Sequence, residues 1–204
     1  AGNSIRGIFR DEHGLWIGGY RQSVYESLTA KEASTTISLN PITSFAKGKQ
    51  GHLWAGTDGF IMMEYIPAQN RWVEHDYSTQ EKRLFKLFQN PVTGKLWIGT
   101  TDGLIYLDHK NKELIPFQLP ASFKNTYVRH FYQNEQGIWI VSSKGLFLMD
   151  SRTEMILDHY SVADGLPNDN LIYLYEDAEG TFWLASKGGG LIRWDRKKNT
   201  FRQF

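Results

Sequence analysis

Five short phrases in this 204-residue chain share one form: a Gly, one or two residues, then a Trp followed by small or β-branched residues. They are Gly14–Leu15–Trp16–Ile17–Gly18, Gly51–His52–Leu53–Trp54–Ala55–Gly56, Gly94–Lys95–Leu96–Trp97–Ile98–Gly99, Gly137–Ile138–Trp139–Ile140 and Gly180–Thr181–Phe182–Trp183–Leu184. Successive Trp lie 38, 43, 42 and 44 residues apart. A fixed period of this size marks an array of like units. In such an array the shared residues are scaffold, and function lies where the units depart from one another.

Within a unit the apolar residues alternate in short runs, the period of a strand. The third unit shows four of them: Leu84–Gln89, Leu96–Thr100, Leu104–Asp108 and Glu113–Leu119, the last marked as an edge or irregular strand by Pro116. Turns at Asn90–Gly94, Thr101–Gly103 and His109–Lys112 separate them. A four-stranded sheet cannot bury both faces alone, but sheets stacked radially can, with large side chains between neighbours. The expected fold is therefore all-β: a β-propeller of four-stranded antiparallel blades. A solenoid of helix pairs is excluded, because no ten-residue stretch has helical apolar spacing between caps.

The blades run approximately over 4–39, 40–81, 82–125, 126–168 and 169–204, making residues 1–204 one propeller domain or a fragment of one. Each copy begins with its first strand and ends with its fourth, so neither chain end supplies a spare strand for closure. Two arrangements satisfy this: a closed five-bladed ring, or an arc of a larger one. Bare terminal sheet faces would expose more apolar area than a monomer usually tolerates. Blade five, around Trp183 and Trp194, is thus expected to pack on blade one, around Ile8 and Trp16, or two chains to self-associate through these terminal blades. The first blade is the most degenerate, and its Gln22–Ser38 stretch is expected to be the least regular.

Composition narrows the function classes. Hydrophobic content of 41% and aromatic content of 14% indicate a folded chain, and a net charge of +1 without charged blocks gives no footprint for nucleic acid or anionic lipid. No run reaches the roughly 20 apolar residues of a membrane span. The first residues lack the pattern of a signal peptide. Beginning in mid-pattern at Ile5, the chain reads as a piece of something longer. Absence of Cys excludes disulfides and thiolate metal sites.

The repeat residues read as structure. Each Trp is a wedge between sheets. Asp58–Gly59 and Asp102–Gly103 are tight turns in which Gly takes positive φ and Asp caps local N–H groups. Glu176–Asp177 and Asp11–Glu12 close strands before turns and are solvated or locally bonded; as glycosidase pairs they would need a second carboxylate across a cleft, whereas adjacent strand residues point to opposite faces. The six His lack H-x-H and H-E-x-x-H spacing, and no G-x-S-x-G elbow occurs. No metal, no cofactor and no catalytic residue is expected.

Departures from the repeat fall in the turns between second and third strands and in the crossings between blades. They nominate Arg21, Lys82, Arg83, Tyr127, Lys144, Asn168, Asn170 and Lys187 as ligand-binding residues. This mixture of cations, amides and aromatics suits a polyhydroxylated or carboxylated ligand, such as a carbohydrate, or a partner protein. The three glycines of Lys187–Gly188–Gly189–Gly190 make a flexible turn that another backbone can approach.

The segment Asp164–Gly165–Leu166–Pro167–Asn168–Asp169–Asn170, with Tyr173–Leu174–Tyr175–Glu176–Asp177, Gly180–Thr181–Phe182–Trp183–Leu184 and Gly190–Leu191–Ile192–Arg193–Trp194–Asp195, resembles the two-component regulator propeller repeat. Trp54–Ala55–Gly56–Thr57–Asp58–Gly59, Trp97 to Leu104 and Trp139 to Leu146 repeat its centre. The resemblance is strong in the last four blades and weak in the first. It implies a usually seven-bladed, often tandem propeller, ahead of a histidine kinase in a hybrid two-component system, on the periplasmic side of the membrane. Such systems often respond to glycans. Five repeats then form part of a longer protein, and no kinase motif occurs in this segment. The expected function is that of a non-catalytic sensor propeller. The alternatives are a general protein-interaction propeller and a propeller enzyme of the lyase or glycosidase kind, for which His130 and Asp169 are the candidates. What the parent gene encodes past Phe204 separates the first two; turnover marks the third.

Overall fold

A computed structural model describes residues 4–12, 14–20, 23–27, 35–38, 41–48, 51–118 and 125–204. Among these are five four-stranded antiparallel sheets, each made of strands consecutive in sequence. The first contains β1 (Ile5–Arg10), β2 (Gly14–Gly19), β3 (Ser23–Ser27) and β4 (Thr35–Ser38). The second contains β5 (Ile42–Lys47), β6 (Leu53–Thr57), β7 (Ile61–Ile66) and β8 (Arg71–Asp76). The third contains β9 (Leu84–Gln89), β10 (Leu96–Thr100), β11 (Gly103–Asp108) and β12 (Glu113–Pro116), which ends at the proline, short of the expected bound at Leu119, a residue outside those described. The fourth contains β13 (Val128–Asn134), β14 (Gly137–Ser142), β15 (Gly145–Met149) and β16 (Ile156–Tyr160); the fifth contains β17 (Leu171–Glu176), β18 (Phe182–Ser186), β19 (Gly190–Asp195) and β20 (Thr200–Gln203). These are propeller blades. Arg21, Gln22 and residues 28–34, and with them eight of the 17 residues of the stretch expected to be irregular in blade one, lie outside the described residues.

By packing, the chain divides into two compact units, residues 1–98 with 106–115 and residues 99–105 with 116–204. In the first, Trp16 lies in a core with Ile42, Phe45, Leu53, Ala55 and Met63, and its ring meets Tyr25, Tyr65 and Trp72. In the second, Trp139 and Trp194 share a core with Val141, Leu146, Leu166, Leu171, Phe182 and Leu184. The repeat tryptophans are wedges here: Trp54, Trp97 and Trp139 are among the largest fully buried side chains. Trp194 is turned toward Trp139 and Tyr160 of blade four, Trp16 toward Tyr65 and Trp72 of blade two, and Ile8 is 63% exposed.

Three further repeat features have local causes. The acid or amide closing the first strand accepts the indole N–H of the Trp five or six residues on: Asp11 Oδ2 from Trp16 at 2.9 Å, Asn134 Oδ1 from Trp139 at 3.1 Å, and Asp177 Oδ2 from Trp183 at 2.8 Å. Asp177 Oδ1 also accepts the backbone N–H groups of Glu179 and Thr181, and this bonding to Trp183 and the backbone holds its carboxyl below the usual range. Asp177 and Asp11 are thus locally bonded, as expected, whereas Glu176 is neither solvated nor locally bonded: it pairs with Arg196 and accepts the Asn134 side-chain N–H at 2.8 Å, across 42 residues of sequence.

At the end of the second strand a hydroxyl organises the turn. Thr100 Oγ1 donates to Gly103 O and accepts from Asp102 N, and Ser142 Oγ does the same with Gly145 O and Lys144 N. Here the expectation for the Asp-Gly pairs needs two corrections. The capping oxygen is the hydroxyl that precedes the Asp, because it is already aligned with the turn amides. Gly103 takes positive φ (87°), but in the Asp58–Gly59 turn that conformation falls on Phe60 (φ 62°), whose ring is fully buried.

Finally, the Gly two residues after the Trp is a point of close approach to the next blade. A Cβ on Gly56 would lie 2.7 Å from the Leu84 side chain, and one on Gly99 would lie 2.5 Å from the backbone carbonyl of Val128.

Candidate functional site

In the first, second, fourth and fifth sheets the pairing of the first two strands shifts at the second residue of the first strand, between Ile5 and Gly7, Ile42 and Ser44, Val128 and His130, and Leu171 and Tyr173. A bulge there re-aims one side chain out of the pleat. The re-aimed residues are Arg6, Thr43, Arg129 and Ile172. Two surface depressions are built around this position, one in each unit.

The depression of the second unit has a volume of about 440 Å³, and its walls are Tyr127, Arg129, Ser143, Val162 and the run Pro167–Asn170, with Lys187 at the margin. Arg129 Nη1 donates to Asn170 Oδ1 (2.8 Å) and to Leu171 O (2.6 Å), and its guanidinium lies 5.3 Å from the centre of the Tyr127 ring. Burial pulls the guanidinium below its ordinary value, while the Tyr127 hydroxyl acts in the opposite sense. Asn168 Oδ1 accepts from Asn170 N at 2.7 Å, and Asn170 O accepts from Lys187 N at 2.7 Å, so the crossing and the glycine turn hold each other. The backbone approach expected at the three glycines occurs at Gly190, where a Cβ would lie 2.3 Å from the Phe204 carbonyl oxygen; at Gly189 the neighbour is a side chain, the Asn168 amide at 2.7 Å. Upstream, Asp164 accepts from Ser161 N and Ser161 Oγ, closing a capping box on a 3₁₀ turn, and Leu166 is buried in the core. The D-G-L-P-N run is thus an anchor that delivers Asn168 and Asn170 to the depression.

Four of the nominated residues, Tyr127, Asn168, Asn170 and Lys187, therefore converge. Lys144 lies in the same turn as Ser143 but does not line the depression. Arg83 lines the depression of the first unit, about 330 Å³, with Arg6, Thr43, Asp58 and Phe85, and its Nε is 3.8 Å from Asp58 Oδ1. Lys82 precedes it outside that lining, and Arg21 lies outside the described residues. Arg129 was not nominated. Aligning the first strands as Arg6, Thr43, Phe85, Arg129 and Ile172 would have exposed it, as a charged residue inside an apolar run.

A second cluster was also missed, in the first unit. Glu64, 7% exposed, accepts from His52 Nδ1 at 2.8 Å, His75 Nε2 at 3.2 Å and Lys112 Nζ at 3.4 Å. His75, His109 and Lys112 surround the Trp54 ring at 5.5, 5.8 and 5.4 Å. Burial alone would raise the Glu64 carboxyl; His52, Lys112 and His75 outweigh it and hold the group below 4.5. Burial and Lys112 push His109 down. A depressed carboxyl stabilises the fold above its unfolded value, and this contribution is lost as pH falls through the folded value. Glu64→Gln is therefore expected to cost about 2 kcal/mol at pH 7. Urea unfolding should show the deficit shrinking toward pH 3. An equal deficit at both pH values would show that the carboxylate charge is not what holds the cluster. Among the described residues no group of three or more His, Cys, Asp or Glu could hold a metal ion.

Residues 36–59 match the model of the two component regulator propeller. No curated protein matches the chain. Among solved structures, the extracellular domains of two hybrid two-component systems from B. thetaiotaomicron superpose with TM-scores of 0.73 and 0.67, at 16% and 19% identity over 98% of this chain. The chain spans only 27% and 34% of those domains. Virginiamycin B lyase from Staphylococcus aureus gives a TM-score of 0.74 at 12% identity, over 99% of this chain and 70% of the lyase. At these identities the superpositions establish fold. No helix among the described residues is long and apolar enough to cross a membrane. The chain is an all-β propeller whose residues 36–59 match the two component regulator propeller repeat.

Proposed function

We propose that this chain is the extracytoplasmic sensing segment of a hybrid two-component histidine kinase, non-catalytic itself, and that it reports occupancy by a polar ligand of the carbohydrate class. The observation that carries this reading is the pairing of the regulator-propeller match with likeness, over nearly the whole chain, to extracellular domains of such systems. The depression at Tyr127, Asn168, Asn170 and Lys187 is its ligand site. An aromatic face, two amides and a cation are the groups that take up a sugar ring and its substituents. The likeness to a lyase does not favour catalysis. His130, a candidate for that reading, is nearly buried and stacks on Tyr173 at 4.0 Å, and Asp169 Oδ1 accepts the Val162 N–H.

A thermal-shift screen against neutral and acidic oligosaccharides tests the reading. One class is expected to raise the unfolding midpoint by about 2 °C or more at saturating concentration, with the sugar recovered intact. Product formation would reject the non-catalytic assignment. Alkaline phosphatase joined after Phe204 in the parent protein should be active only if this segment is extracytoplasmic, and an inactive fusion would reject that location.

A further inference from the structure

The two depressions are built from equivalent positions and each is lined by two cations and one acid, yet they differ in whether the acid pairs with a cation. In each blade the fourth residue after the repeat Trp stands on the turn that faces them: Asp58 in blade two, Ser143 in blade four and Lys187 in blade five. In the first unit Asp58 supplies a carboxylate 3.8 Å from Arg83, so the basic side chains there already face an acid. In the second unit the position of Asp58 is taken by Ser143, and that of blade five by a lysine. Arg129 is half-buried, and its hydrogen bonds go to neutral oxygens, Asn170 Oδ1 and Leu171 O, both through Nη1. No carboxylate among the described residues pairs with it, and the Lys187 ammonium has no side-chain partner among them either. Asp169 is the one acid in the lining; its Oδ1 accepts the Val162 N–H, its charge remains, and among the described residues it forms no ion pair with Arg129 or Lys187. A guanidinium taken partly out of water without a counter-charge is costly, and an anion returns that cost. Its remaining N–H groups are not among the buried atoms that lack a partner, so they are open to solvent.

We infer that the depression of the second unit is a carboxylate site, in which Arg129 grips the anionic group of an acidic sugar through its open N–H groups, Lys187 adds the second positive charge and Tyr127 offers a face to the ring. This rests on the sensor reading and specifies its ligand class. A planar guanidinium fits a carboxylate in two-point fashion. The bonds to Asn170 and Leu171 fix its orientation before the ligand arrives, which removes part of the ordering cost.

The test uses a matched pair, trigalacturonate and its trimethyl ester, titrated into the chain and followed by NMR on the Arg129 Nε–H and the Tyr127 and Asn170 amides. The acid is expected to shift these signals saturably and to bind at least tenfold more tightly than the ester, with the difference narrowing as salt rises. Arg129→Gln should bring acid binding down to the level of the ester. Because Arg129 also supports Leu171, Lys187→Gln serves as the second variant: exposed and without a side-chain partner, it should leave the fold unchanged and weaken acid binding about threefold or more. Equal binding of acid and ester at this site would overturn the carboxylate assignment while leaving a ligand-binding propeller in place. Wild-type affinity for the acid in both variants, or no shift at these residues with either sugar, would also overturn it; the phosphatase fusion judges the sensor reading separately.

Discussion

Trp139→Ala is expected to be the most damaging single truncation in the second unit, costing about 3–5 kcal/mol. The side chain is 1% exposed, and its ring meets Phe182 at 5.0 Å, Tyr160 at 5.8 Å and Trp194 at 6.1 Å, two of these edge to face. Removing it opens a void that strands on both sides cannot close, because the β14 backbone is paired to β13 and β15. It also removes one of the two N–H groups that Asn134 Oδ1 accepts, leaving that of Gln136, and takes away the ring against which Arg196 lies at 5.8 Å. For a domain of this size the loss corresponds to a fall in unfolding midpoint of about 10 °C or more. Trp183 has the same place in the next blade but is only half-buried, covered by Phe204 at 6.2 Å. Trp183→Ala should cost roughly half as much. Equal losses for the two would mean that burial between sheets is not the source of the effect.

Gly99→Ala is the second large effect. One added methyl would stand 2.5 Å from the Val128 carbonyl oxygen, and that oxygen belongs to a paired strand. Relief requires the first strand of blade four to back away, at a cost of about 2–3 kcal/mol. Gly56→Ala makes a useful contrast. The obstacle there is the Leu84 side chain at 2.7 Å, which can change rotamer, so the expected cost is about 1 kcal/mol. The equivalent position is Val141 in blade four and Ala185 in blade five, so the site is not closed to side chains in principle. What decides is how near the following strand comes. Urea unfolding of the two alanine variants gives the ranking directly, and a costlier Gly56→Ala would refute the argument from backbone rigidity.

Much of the fold was legible because the repeat is written in short-range chemistry. The Trp phrases announced the sheets, and Asp177 could be read as locally bonded because its partner, Trp183, lies six residues away. Pro116 marked the weak fourth strand for the same reason. The misreadings arose where a second segment decides. Phe60 takes the left-handed conformation in place of Gly59 because its ring is drawn into the core, and that burial outweighs the backbone preference. Glu64 meets Lys112 across 48 residues of sequence, and no local pattern couples them. Of the candidate site, the turn and crossing residues could be found as departures from the repeat. Arg129 escaped because it stands inside a strand, where only the register shift frees its side chain to face the depression.

That shift has a consequence for how such a protein can change. Three positions in a blade reach the same surface: the turn residue four after the Trp, the residue before the first strand, and the residue at the bulge. In blade two the turn residue is Asp58, in blade three the pre-strand residue is Arg83, and in blade four the trio is Ser143, Tyr127 and Arg129. In these blades the trio lies apart from the tryptophan core, so point mutations that rewrite it leave that core intact. Each blade then behaves as a three-letter word on a common frame. If that surface binds the ligand proposed above, a lineage of such propellers would trade one molecule for another by respelling one or two words, while the tryptophans, the indole acceptors and the close-approach glycines keep the grammar unchanged.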